Sequence, residues 1–245
     1  MKRSSRLPLP GSWLCLLSLL ALGSCRPLFL RELAGTILAL EGEAQGTRAG
    51  NSIALTKSSW VHPGEKITTA ADARLDLLLV PGVLVALAGD TEIEIEQLRL
   101  ARDGNESINP MTSREAKIQL RRGTLVVAVG QSQKRSKMVV QTSSGTVTVF
   151  DLRTLKIEAD EKRTRILSVR GKVTFAPADG GPLVRLDAGY FAAWPANPAV
   201  PQAALSDPGA QAEVSEILRM EKRLFHLQKQ VGFSFVPWHR EDEGL

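Results

Sequence analysis

The chain has 245 residues, 43% of them apolar and 23% charged, a balance that can bury a core and speaks against intrinsic disorder. Of its 31 basic residues, Lys2, Arg3 and Arg6 crowd the N-terminus, and the 28 that remain face 26 acidic ones. A chain so nearly neutral lacks the concentrated basic face that a nucleic-acid partner requires, and none is expected.

Residues 1–24 read as an export signal, with a basic head from Lys2 to Arg6 and an apolar core from Trp13 to Leu22. That core is short of the roughly 20 residues that span a bilayer. Leu22-Gly23-Ser24-Cys25 resembles the lipobox of bacterial lipoproteins, which implies that Cys25 becomes the acylated first residue of the mature chain. Cys15 lies inside the leader and leaves with it, so Cys25 has no disulfide partner, and acylation accounts for it. The alternative is an unlipidated signal with a chance cysteine. Residues 25–33 are expected as a lipidated tether, with Leu28-Phe29-Leu30 able to begin the packed body.

From Gly35 onward the apolar period is two. TILALEG (36–42), SIALT (52–56), KITTA (66–70), ARLDLLLV (73–80) and VLVALAG (83–89) read as short strands parted by turns such as His62-Pro63-Gly64-Glu65 and Pro81-Gly82. In DTEIEIEQLRL (90–100) Thr91, Ile93 and Ile95 point one way and Glu92, Glu94 and Glu96 the other. Three parallel carboxylates with no histidine beside them predict a solvated face in place of a metal or glycosidase site. After a polar connection from Arg102 to Arg114 come AKIQLRRGTLVVAVG (116–130), a basic hinge from Gln131 to Lys137, and KMVVQT (137–142). GTVTVFD (145–151), TLKIEAD (154–160), TRILSVRGKVTFAP (164–177) and PLVRLDAGYFAAW (182–194) follow. Gly42, Gly64, Gly82, Gly123, Gly145, Gly171 and Gly189 fall between strands, where turns or bulges are expected. The reading is all-β, either a short-strand solenoid, which is slightly favoured, or a sandwich, occupying residues 34–194.

Pro195 to Asp207 reads as a linker, and Asp207-Pro208 as the cap and first position of an amphipathic helix over 208–231. Val214, Ile217, Leu218, Leu224, Phe225 and Val231 form its apolar stripe, with Met220 or Glu221 at one intervening turn. That stripe packs on the strand body or docks on a partner. Residues 232–245 form a tail with Phe233, Phe235 and Trp238 ahead of a charged end.

The stretches GTILALEGEAQ (35–45), VHPGEKITTAADARLDLLLVPGVLVALAGDTEIEI (61–95), IQLRRGTLVVAV (118–129), MVVQTSSGTVTVFDLRTLKIEAD (138–160), ILSVRGKVTFAP (166–177) and LDAGYFAAW (186–194), together most of residues 34–194, resemble the FecR-type extracytoplasmic domain. The resemblance lies in glycine and strand spacing and carries no catalytic residue. It departs from its relatives at Pro81-Gly82, where Asp-Gly is common. FecR regulators join such a domain to a spanning segment and a cytoplasmic region that controls a sigma factor. Here the leader-like N-terminus implies instead a stand-alone, lipid-anchored module on the periplasmic side of a membrane, binding an envelope protein or a cell-wall polysaccharide. A relay through a separate transmembrane partner is the further alternative.

No enzyme is expected. His62, His226 and His239 are widely spaced and make no metal set, and neither a nucleophile motif nor a phosphate-cradling loop occurs, so no cofactor is predicted. A glycan surface would draw on Trp60, Tyr190 and Trp194, for which core filling is the competing role.

Overall fold

The computed structural model describes residues 29–102, 113–130, 135–150, 152–195 and 200–230. The leader, Cys25, most of the connection after Arg102, most of the basic hinge, Val231 and the tail lie outside the described residues.

In chain order the first strands are β1 (Phe29–Glu32), β2 (Gly35–Glu41), β3 (Ala44–Arg48), β4 (Asn51–Ala54), β5 (Trp60–Val61) and β6 (Lys66–Thr69). Next come β7 (Arg74–Val80), β8 (Val83–Leu87), β9 (Glu92–Arg102), β10 (Ser113–Val129), β11 (Arg135–Thr142) and β12 (Gly145–Phe150). The last are β13 (Arg153–Ala159), β14 (Thr164–Arg170), β15 (Val173–Pro177), β16 (Val184–Leu186), β17 (Tyr190–Trp194) and β18 (Gln202–Ala203), and the helix α1 follows over Pro208–Gln230. β1 thus lies within the segment expected as a tether, and β18 within the expected linker. β3 was not anticipated. Its sequence AQGTR has no β-branched run, yet Ala44 and Gly46 turn inward while the strand pairs with β4 and β6.

The strands form two sheets that share β10 and do not close into a barrel. The front sheet has the order β4-β3-β6-β9-β10-β11-β12-β15-β16, with β1 beside β6 on the same edge of β9. The back sheet runs β5-β2-β7-β8-β10-β13-β14-β17-β18. From β7 onward hairpins are distributed between the layers: β7-β8 in the back, β9-β10 in the front, β11-β12 front, β13-β14 back, β15-β16 front, β17-β18 back. Of the two architectures left open by the sequence, this is a sandwich of stacked antiparallel hairpins. The parallel ladder of a wound solenoid is confined, among the described residues, to β10 with β11.

β10 changes sheets at Gly123. Residues 113–122 pair with β9 and β11, and 123–129 with β8 and β13. Gly123 has φ of +101°, and a Cβ there would lie 2.4 Å from Thr91 Oγ1. Thr91, fully buried, knots the corner: its Oγ1 accepts from the Thr124 N–H at 3.0 Å, and its own N–H donates to Thr69 Oγ1 at 3.0 Å. All seven glycines expected at turns or bulges have positive φ.

The main core lies between the sheets and draws Ile37, Ile67, Leu77, Ile93, Ile95, Ile118, Leu125, Val147, Ile157 and Phe175 inward. A second apolar cluster lies on the outer face of the back sheet, where α1 covers Leu38, Leu78, Leu84, Ala86, Val126, Ala128 and Leu167. This explains two kinds of strand sequence. β8 and residues 125–129 of β10 are apolar at every position because both faces are covered, whereas Glu92, Glu94 and Glu96 of β9 alternate with buried isoleucines because the front sheet is wet outside.

Candidate functional site

Asp207 starts α1 as its sequence suggests: Oδ1 accepts from the Gly209 N–H at 2.8 Å and more weakly from Ala210 at 3.3 Å, with Pro208 at the first helical position. Ala210, Ile217 and Leu224 are buried against the back sheet, and Val214, Met220, Phe225 and Leu227 are partly buried beside them. The stripe therefore packs on the strand body. Burying Ile217 and Leu224 contributes on the order of 1.5–3 kcal/mol each. Leu218 is half-buried at the margin of this stripe.

Three polar clamps fix the helix along its length. Near its start Glu213 accepts from Arg165 at 2.8 Å and lies 3.9 Å from Lys156, and both cations also hold Glu158, at 3.1 and 2.6 Å. The Arg165 guanidinium also sits 5.1 Å above the Phe191 ring. Further along, buried Glu221 accepts from Thr154 Oγ1 at 2.6 Å and pairs with Arg170 at 3.2 Å. Near the end Arg223 binds Asp76, a fully buried carboxylate, and pairs with Glu41 at 3.3 Å. Burial raises the Asp76 carboxyl above its ordinary value, with Arg223 and Arg74 pulling the other way. The sequence did contain signals for two of these clamps: one acid inside the apolar run RLDLLLV, and Glu221 at a stripe position of the helix.

The first clamp predicts an acid response. Burial acts to raise the Glu158 carboxyl, but hydrogen bonding and charge from Lys156, together with Arg165, outweigh it and hold the group below the usual glutamate range. A carboxyl held low in the fold contributes stability above its unfolded pKa and loses that contribution as pH falls through the folded one. Urea midpoints measured downward from about pH 5 should therefore fall, and Glu158→Gln should flatten that slope. An unchanged slope in the variant would remove Glu158 from the account.

Between the first half of α1 and the back sheet runs a groove of about 360 Å³. Ala73, Ala86, Leu87, Ala88, Gly89, Thr124 and Val126 line it from the strand side, and Ile217 and Met220 from the helix. Four charged residues complete it: Arg74, Lys156, Glu213 and Glu216. It is concave, mostly apolar and sparsely charged, the general form of a small-ligand site.

The front face is different. Glu92, Glu94 and Glu96 form a lattice with Lys66 (2.7 Å), Arg121 (2.7 Å) and Lys117 (2.7 Å) respectively, and Arg122 adds a 3.5 Å contact to Glu92. The hydrogen bond from Lys66 lowers the Glu92 carboxyl. These carboxylates are spent on neighbouring cations across a flat sheet, as the sequence reading expected of a solvated face.

The three candidate glycan aromatics are not brought together. Trp194 is 5% exposed and packs in the core with its ring centroid 4.0 Å from that of Phe175. Trp60 and Tyr190 are 39% and 40% exposed, but they occupy β5 and β17 at opposite ends of the back sheet. Seven strand spacings separate them, on the order of 30 Å. Among the described residues no three His, Cys, Asp or Glu side chains form a metal-binding group.

Comparison with known proteins gives one family match: the FecR protein model covers residues 65–174, from the turn before β6 into β15. No curated protein matches the chain. Two crystal structures of a "putative anti-sigma factor" from Parabacteroides distasonis are similar over 56% of this chain and 59% of that one, at 12% identity and a TM-score of 0.40. At that distance the structural likeness carries no argument.

Proposed function

Residues 65–174 form a FecR domain, and from this we propose that the protein is a non-enzymatic binding module of the bacterial cell envelope, regulating or scaffolding a partner by direct contact. In this reading it is exported and held on the periplasmic side of a membrane by acyl chains on Cys25. The observation that carries the proposal is the family match itself, which spans both sheets and their shared corner at Gly123.

Two features support a binding role. The rigid sandwich leaves the front sheet's charged face open, and α1 is fastened by side chains from five back-sheet strands, β2, β7, β13, β14 and, through Phe191 beneath Arg165, β17. A tethered module with such a face can dock on an envelope protein without any moving part. The leader supports the location: a basic head, a short apolar core and Leu22-Gly23-Ser24-Cys25. Stable anchoring then needs at least two acyl chains, each buried CH2 contributing about 0.8 kcal/mol.

The experiment combines mass analysis of the mature N-terminus with membrane fractionation of wild type and Cys25→Ser. Acyl mass on residue 25, wild type in membranes and the variant released are the expected results. Unmodified Cys25 with residues 1–24 still attached, recovered in the soluble cytosol, overturns the location. For the binding role, a photo-crosslinker placed at Lys117 or Arg121 on the front face should capture a discrete envelope protein; capture of none from intact cells counts against it.

A further inference from the structure

We propose that the groove between α1 and the back sheet is a binding site for a short aliphatic zwitterion, an amino acid or a dipeptide. Two charged side chains of the groove make no hydrogen bond among the described residues. Arg74 projects from β7 into the groove, donates no hydrogen bond among the described residues, and has its buried Nε unsatisfied. Its ion-pair partner, Asp76, presents Oδ1 at 3.8 Å from that nitrogen, beyond hydrogen-bond reach, while Arg223 holds Oδ2 of the same carboxylate. On the facing wall Glu216 of α1 is exposed and joins no ion pair or hydrogen bond among the described residues. The two do not pair with each other.

The other charges of the groove are occupied. Lys156 is held by Glu158 at 2.6 Å, and Glu213 by Arg165 at 2.8 Å. The charged groups of the groove that make no hydrogen bond are thus one guanidinium on the sheet side, with Asp76 at 3.8 Å, and one carboxylate on the helix side, separated by an apolar floor. A simple anion would answer Arg74 but face Glu216, and a simple cation the reverse. A ligand that carries a carboxylate and an ammonium on a small apolar body answers both. Guanidinium recognises carboxylate in a bidentate fork, and an ammonium needs a single acceptor such as Glu216.

The floor sets the size of that body. Ala73, Ala86, Ala88 and Gly89 leave the space, and Ile217 and Met220 offer it aliphatic contact. About 360 Å³ is at the lower end of ligand pockets and suits a few side-chain carbons. This site lies on the back sheet, away from the front face, and does not depend on acylation at Cys25. Failure of either can therefore be told from failure of the other.

The test is calorimetric titration of the mature chain with L-leucine and with L-alanyl-L-alanine, two sources of the same chemistry. Each is compared with its N-acetylated and its C-amidated form. Saturable binding of at least one zwitterion is expected, weakened about tenfold or more by blocking either end. Arg74→Gln should erase the preference for acid over amide, and Glu216→Gln the preference for free over acetylated amine. Ala88→Leu, at an exposed position on the groove's rim, should abolish binding with thermal stability unchanged, and it keeps the test open if Arg74→Gln fails to fold. No binding at millimolar concentration, equal affinity for a zwitterion and either blocked form, or undiminished binding by Ala88→Leu each overturns the assignment.

Discussion

Replacing Gly123 by valine is expected to destabilise the fold by about 3–5 kcal/mol, near the upper end of what one substitution does. Two causes act together. The residue has φ of +101°, a conformation that a β-branched side chain resists, and its new Cβ would meet Thr91 Cα at 2.5 Å as well as Oγ1 at 2.4 Å. Thr91 cannot swing aside, because its Oγ1 serves Thr124 and its N–H serves Thr69 in the buried knot that joins the sheets. Gly180→Ala provides the comparison: φ is +77° but nothing lies within 4 Å of the added Cβ, so the cost should be only the roughly 1–2 kcal/mol of left-handed backbone. Urea unfolding of both variants separates clash from backbone strain. Equal losses would mean that the corner is not tightly packed.

Arg223→Met should cost about 3 kcal/mol by stranding a carboxylate that has no access to water. Asp76 is completely buried, and its remaining cation, Arg74, stands 3.8 Å away without a hydrogen bond. The instructive case is the double variant Asp76→Leu/Arg223→Met. Replacing a buried pair with apolar groups is often neutral, so the double variant should recover most of the loss, and unfolding measurements of all four proteins give the coupling between the residues. If Arg223→Met is as stable as wild type, the third clamp on α1 contributes nothing.

The first prediction concerns a place where local sequence is least informative. The Gly123 corner sits inside AKIQLRRGTLVVAVG, where the glycine is expected between two strands; β10 runs unbroken through it, and nothing local says that its halves belong to different sheets. That split follows from where β9 and β8 end, which fixes what each half of β10 can pair with. β3 was invisible for a related reason: AQGTR forms a strand because β4 and β6 lie on either side of it, and its own propensity is slight. Trp194 illustrates burial. Its position near a strand end fits a surface platform, whereas its inward turn onto Phe175 depends on the sheet opposite.

What the sequence determined alone is whatever a residue and its near neighbours control. That includes the two-residue period of the strands, the turns at Gly42, Gly82 and Gly171, the Asp207-Pro208 helix start, the wet face of Glu92, Glu94 and Glu96, and the resemblance to the FecR-type domain, whose family model matches residues 65–174. Tertiary structure alone decided that hairpins divide between two layers, that α1 closes over the back sheet, and that Arg74 and Glu216 face one groove without touching. The reason is range. Backbone conformation and side-chain alternation are settled over a few bonds, but layer assignment and charge pairing depend on segments far apart in the chain, such as Asp76 and Arg223 at a separation of 147 positions, which meet only once the chain has folded.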